Sequence, residues 1–96
     1  MRVYIYQAAL LCEPCGASAC AVMPKPDGFD PSNEHTWDSD DYPKGPYADG
    51  GGEADSPQFC DHCNAFLRNP LTADGLEYVR HNPASRDVLD FYRDAL

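Results

Sequence analysis

The chain contains no run of about 18 apolar residues, the length a helix needs to cross a bilayer. It is also short of positive charge: 7 Lys and Arg stand against 16 Asp and Glu, a formal net −9. Proteins that hold nucleic acid directly need a basic stripe against the phosphates. That class is set aside, and the acidity points to water or to a basic protein surface. Two zinc-enzyme signatures are missing as well. A deaminase needs H-x-E with P-C-x-x-C and a metalloprotease needs H-E-x-x-H, and neither pattern occurs. The acids between Asp38 and Asp55 do not follow the spacing of an EF-hand or of a glycine-rich calcium repeat, so they read as solvated acidic surface.

What is present is a small chain of 96 residues, expected to form one domain over 1–96. A domain of this size buries a limited share of its surface and often relies on a metal or disulfides for stability. The start, MRVYIYQAALLCEPC, places one basic residue before an apolar run, as a signal peptide would. Its tyrosines, Gln7 and the alternation of Val3 with Ile5 instead fit a strand over 2–11. The expected location is therefore the cytoplasm. Residues 16–23, GASACAVM, read as a second strand hairpinned on the first.

Residues 24–57 hold six prolines and no helical period. The charge is concentrated there: residues 27–55 carry nine carboxylates and only Lys44, a net −8. Composition alone would make this a disordered linker. Phe29, Trp37, Tyr42 and Tyr47 are spread through it, however, and aromatics are costly to leave in water, so an ordered irregular loop packed on the core is expected. The run Gly50-Gly51-Gly52 reads as a tight bend that needs positive φ or close approach, with Glu53 and Asp55 beside it accepting backbone N–H bonds or facing a partner.

Beyond the loop, Phe66 and Leu67 are expected near the cysteines. Two short helices follow within 72–96: one capped by Thr72, with Leu76 and Val79 on one face, ending at Asn82-Pro83; the other capped by Ser85, with an apolar stripe of Val88, Leu89, Tyr92 and Leu96. The expected class is α+β: an N-terminal β hairpin, a long acidic loop and two C-terminal helices.

Cys12, Cys15, Cys60 and Cys63 form two C-x-x-C pairs separated by 44 residues. Each pair puts two thiolates on one tight turn, and two such turns complete a tetrahedron around one ion. An all-sulfur tetrahedron selects zinc or iron, and with no redox partner motif in view structural Zn2+ is expected. Four cysteine ligands leave no open coordination position, so a non-enzymatic role is expected. Cys20 reads as a small core residue and His62 as a solvent-facing residue of the second turn. His35 and His81 have no ligand spacing and default to the surface. The strand followed by CEPC also looks like the start of a glutaredoxin, in which Cys12 and Cys15 would be a redox pair at a helix N-terminus. The Pro/Gly loop after it interrupts the βαβ pattern that such a protein would continue.

The stretch GPYADGGGEADSPQFCDHCNAFLRNPLTADGLEYV, residues 45–79, resembles small phage- and prophage-encoded proteins in its order of Gly-Gly-Gly-Glu-Ala-Asp, C-x-x-C and Asn-Pro-Leu-Thr. The resemblance implies a phage context and no catalytic residue. Small acidic phage proteins include anti-CRISPR inhibitors and other DNA mimics, which implies a host protein with a basic surface as partner. In that role the carboxylates of Asp38, Asp40, Asp41, Asp49, Glu53 and Asp55, with Glu77, Asp87, Asp90 and Asp94, would face the partner. A zinc-ribbon-like adaptor in phage regulation or replication is the alternative.

Overall fold

The computed structural model describes residues 1–82 and 84–96. Three strands and three α-helices follow in the order β1 (Val3–Tyr6), β2 (Ala9–Cys12), α1 (Glu13–Val22), β3 (Lys44–Tyr47), α2 (Ala73–His81) and α3 (Arg86–Tyr92). The sheet is antiparallel throughout, in the order β2-β1-β3, and the class is α+β.

The N-terminal half departs from expectation in two places. Residues 2–11 are two strands rather than one: Val3 faces Cys12, Tyr6 faces Ala9, and Gln7-Ala8 forms the turn. Both turn residues have positive φ, 50° and 61°, as a tight two-residue hairpin demands. Asn-Gly would have announced such a turn; Gln-Ala does not. The Gln7 N–H donates to the Ser39 carbonyl at 3.0 Å, which holds the turn against the loop. Residues 16–23 are not a strand. They lie largely in α1, where Pro14 occupies the first turn and Ala17, Ala19 and Ala21 supply strong helix formers. Gly16 is the buried residue of this helix, and a Cβ there would lie 2.2 Å from the Tyr4 ring, so the glycine lets α1 sit directly on β1.

The acidic loop is ordered. It contributes the edge strand β3, whose Pro46 is tolerated because an edge strand has one unpaired side. Phe29 packs on Trp37 and Tyr42 with ring centroids 4.6 and 5.1 Å apart, and the buried Tyr42 donates its hydroxyl to the Cys20 carbonyl at 2.9 Å. Gly50 joins the loop's end to the core. Its φ is +63°, its N–H donates to the Met1 carbonyl at 2.7 Å, and a Cβ would lie 2.5 Å from the Leu67 carbonyl oxygen. The glycine run thus meets both expectations, positive φ and close approach.

The core has two parts. Val3, Leu11, Cys12, Cys60 and Leu67 form one cluster; Val79, Val88 and Tyr92 form the other, with Phe66, Leu71 and Leu76 packed against it. Leu67 lies with the cysteines as expected, but Phe66 turns to the helices and meets Phe91 and Tyr92 edge-on. Thr72 and Ser85 cap α2 and α3 as expected, accepting from the N–H groups of Gly75 and Val88. α2 ends at His81; the Pro83 half of the expected Asn82-Pro83 stop lies outside the described residues. The α3 stripe is narrower than its spacing suggested, since Val88 and Tyr92 are buried while Leu89 and Leu96 are exposed.

Asn69, fully buried, links the two parts. Its Oδ1 accepts the Gln58 N–H at 2.8 Å, its Nδ2 donates to the carbonyls of Ser56 and Pro70, and its own carbonyl accepts the Tyr92 hydroxyl. Removing the amide leaves the half-buried Gln58 N–H without its acceptor, while the Ser56 and Pro70 carbonyls keep the Gln58 Nε2 and the Ala54 N–H. Asn69→Ala is expected to cost about 1–3 kcal/mol, read as a lower urea midpoint at unchanged slope. A change under about 0.5 kcal/mol would show the side-chain bonds of Asn69 to be dispensable.

Candidate metal centre

The four paired cysteines converge although 44 residues separate the pairs in the chain. The first pair spans the junction of β2 and α1: Cys12 ends the strand and is the N-cap of the helix, and Cys15 lies in its first turn. The second pair sits on a knuckle. The Cys60 N–H donates to the Ala65 carbonyl, the Asn64 N–H donates back to the Cys60 carbonyl, and Phe59 and Phe66 pair across its base. Asn64 takes φ +63° to close the turn. The Asp61 N–H then donates to the Leu10 carbonyl at 2.8 Å, docking the knuckle on the free edge of β2.

The sulfur atoms lie within 4.8 Å of one another, and Cys12 Sγ is 3.6 Å from Cys63 Sγ. A zinc–thiolate tetrahedron with bonds of about 2.3 Å has edges of about 3.8 Å, so the cluster matches that polyhedron to within an ångström. All five cysteines are free thiols, and 3.6 Å is far beyond the roughly 2.05 Å of a disulfide. Cys20 stands outside the cluster. His62 is exposed, as expected, and so are His35 and His81, the last bonded to Glu77 Oε2 at 3.0 Å.

The electrostatics fit a cation. Burial opposes ionisation of Cys60, but N–H groups of Cys63, Cys12 and His62 point at its sulfur and outweigh it, bringing the thiol down to about 6. Cys12 is pushed up by burial, and Cys15 is pushed up by the hydrogen bond it shares with the Cys12 sulfur and by burial. Without a cation the cluster favours one thiolate and resists further charge. A divalent ion inverts that balance, because it compensates several thiolates at once. The surroundings weigh against a glutaredoxin-like use of the first pair. The helix N-terminus is in place, yet Cys12 is buried, away from any substrate disulfide in solution. The antiparallel sheet also lacks the βαβ unit such a protein would have.

An open groove of about 650 Å3 runs beside the centre, lined by Tyr6, Leu11, Cys15, Ala19, Val22 and His62 among others. All ten carboxylates expected to face a partner are exposed. Glu77 is paired with Arg80 and His81, and Asp90 with Arg93. Asp55 accepts the Thr72 hydroxyl at 2.5 Å rather than a backbone N–H, and among the described residues Glu53 accepts no backbone N–H either. Asp38 shapes its own turn: its side chain accepts the Asp40 N–H and its carbonyl accepts those of Asp41 and Tyr42. Asn69 and the Gln-Ala turn were missed from the sequence, and only the NPLT segment beginning at Asn69 hinted at the former.

Among the described residues no helix is long and apolar enough to cross a membrane. No protein-family model, curated protein or solved structure matches the chain.

Cys60→Ser is expected to abolish tight metal binding, while Cys20→Ser leaves one ion per chain by native mass spectrometry. Because protons compete for the sulfurs, the affinity should fall as pH is lowered, with proton release on binding. Equal metal content in both variants would contradict the assignment.

Proposed function

We propose that the four thiolates hold one structural zinc ion and that the acidic loop shaped by it binds, and thereby inhibits, a nucleic-acid-binding machine of the host. The observation that carries this reading is the state of the charge in residues 38–55. Asp38, Asp40, Asp41, Asp49, Glu53 and Asp55 form no ion pair among the described residues. Lys44, the one cation of that stretch, is spent on the Glu34 carbonyl at 2.7 Å and lies over the Trp37 ring at 5.4 Å. A loop that merely solubilised the fold would not need this ordered aromatic scaffold, whereas unneutralised carboxylates on a fixed backbone suit a Lys/Arg groove. The ordering cost is met before binding, which favours affinity.

Magnitudes narrow the mimicry. The chain is 46 Å long and 22 by 17 Å across. A net −9 over that length is one charge per about 5 Å, against about 1.7 Å for duplex DNA and about 3.4 Å for one strand. The spacing supports competition for a groove that tracks a single strand, not replacement of a whole duplex. The phage resemblance of residues 45–79 agrees with an inhibitor of host machinery. Four cysteine ligands leave the ion no open position, so the role is binding and not catalysis.

The test is affinity capture from host lysate across a salt series. The partner should elute as salt rises and be displaced by single-stranded oligonucleotide. A variant with Asp40, Asp41 and Asp49 changed to Asn should weaken capture about tenfold without altering the melting temperature. Capture indifferent to salt, oligonucleotide and these substitutions would instead indicate an adaptor using another surface.

A further inference from the structure

The four ligand residues differ in their exposure. Cys12 and Cys60 are buried, 5% and 2% exposed, Cys15 is half-buried, and Cys63 is exposed at the end of its knuckle beside the exposed Asp61, His62 and Asn64. Oxidants select thiolates by exposure as well as by charge. Cys63 is therefore the ligand residue that solvent reaches most readily, and the one we expect an oxidant to meet first. Its resolving partner is read from two contacts. Cys60 Sγ accepts the Cys63 N–H at 3.5 Å, which holds that sulfur against its own turn. Cys12 Sγ lies 3.6 Å from Cys63 Sγ across the junction of the two segments, so an approach of about 1.5 Å forms a bond.

We infer that the centre is a peroxide-sensitive clasp: Cys63 is oxidised, Cys12 resolves it, and a disulfide replaces the metal between the same two segments. The inference rests on the zinc reading above. With hydrogen peroxide as oxidant, the Cys63 thiolate attacks one peroxide oxygen, the O–O bond breaks, and Cys63 becomes a sulfenic acid as hydroxide leaves. The Cys12 thiolate then attacks Cys63 Sγ, the S–S bond forms, the S–O bond breaks and a second hydroxide leaves. Two electrons pass from the sulfur pair to the peroxide. The ion, left with Cys15 and Cys60, is released.

The choice of pair has a structural consequence. A bond from Cys12 to Cys63 keeps the end of β2 tied to the knuckle, whereas bonds within each C-x-x-C would free both segments. Peroxide therefore removes the metal without opening the chain, while a chelator acting on reduced protein removes the metal and the tie together.

The experiment treats the zinc-loaded wild-type protein with hydrogen peroxide in the presence of a chromogenic zinc indicator. A 1,3-dione traps sulfenic acids in a parallel sample, and peptide mass spectrometry maps the disulfides. Zinc release should accompany a dione adduct on Cys63 several-fold above those on the other ligands at early times, then a Cys12–Cys63 cross-link. Cys20→Ser should release zinc at the wild-type rate. Disulfides confined to Cys12–Cys15 and Cys60–Cys63, or an adduct first on another cysteine, would overturn the inference. A chain that carries zinc and keeps it under peroxide overturns this inference alone. A reduced chain that carries no zinc overturns the metal reading and this inference with it.

Discussion

The convergence of four sulfurs on one point is the constraint from which the rest of the N-terminal half follows. It joins the end of β2 and the start of α1 to a knuckle that begins 44 residues after the first pair. Bringing the ends of such a loop together costs about 3 kcal/mol of chain entropy, and among the described residues the first core cluster holds only five buried ones, two of them these cysteines. A structural zinc site supplies about 10–16 kcal/mol. The contribution of a zinc ion held by the four sulfurs would thus be large enough to determine whether this half folds, and that of a hairpin of four-residue strands is not.

Once the ends are closed, the acidic loop has a fixed frame on which to pack. Its aromatic side chains fill the inner side, Tyr42 reaches the carbonyl of Cys20 on α1, and Gly50 threads the backbone between Met1 and Leu67. The carboxylates are left outside, and the Asp38 turn shows that some of them also define the path of the chain that displays them. Asn69 and Tyr92 carry the order onward to the helices, so the second core cluster is coupled to the metal half through hydrogen bonds as well as through the rings of Phe59 and Phe66.

The sequence displayed the features whose physics is local or whose chemistry is rare. Two C-x-x-C pairs have few uses, Thr72 and Ser85 are caps by residue type, and four aromatics in an acidic stretch argue against disorder. The misreadings were of another kind. The Gln-Ala turn takes positive φ with residues that do not advertise it, and the alanine-rich segment after Cys15 is apolar enough to pass for a strand but continues the helix that Cys12 caps and Pro14 helps to start. Strand β3, built from Lys-Gly-Pro-Tyr, has the composition of a turn and is a strand because β1 offers it an edge. Asn69 acts through four contacts spread between residues 56 and 92, a relation no window of sequence contains.

The central claim is that metal coordination holds this chain folded. It is tested most directly by recording the amide 1H–15N spectrum of the reduced, zinc-loaded protein before and after removal of the ion with a chelator. Dispersed resonances from the hairpin, α1 and the knuckle should collapse toward random-coil positions and return when one equivalent of zinc is restored. A chelated, reduced protein that keeps its dispersed spectrum and its melting temperature would contradict the account.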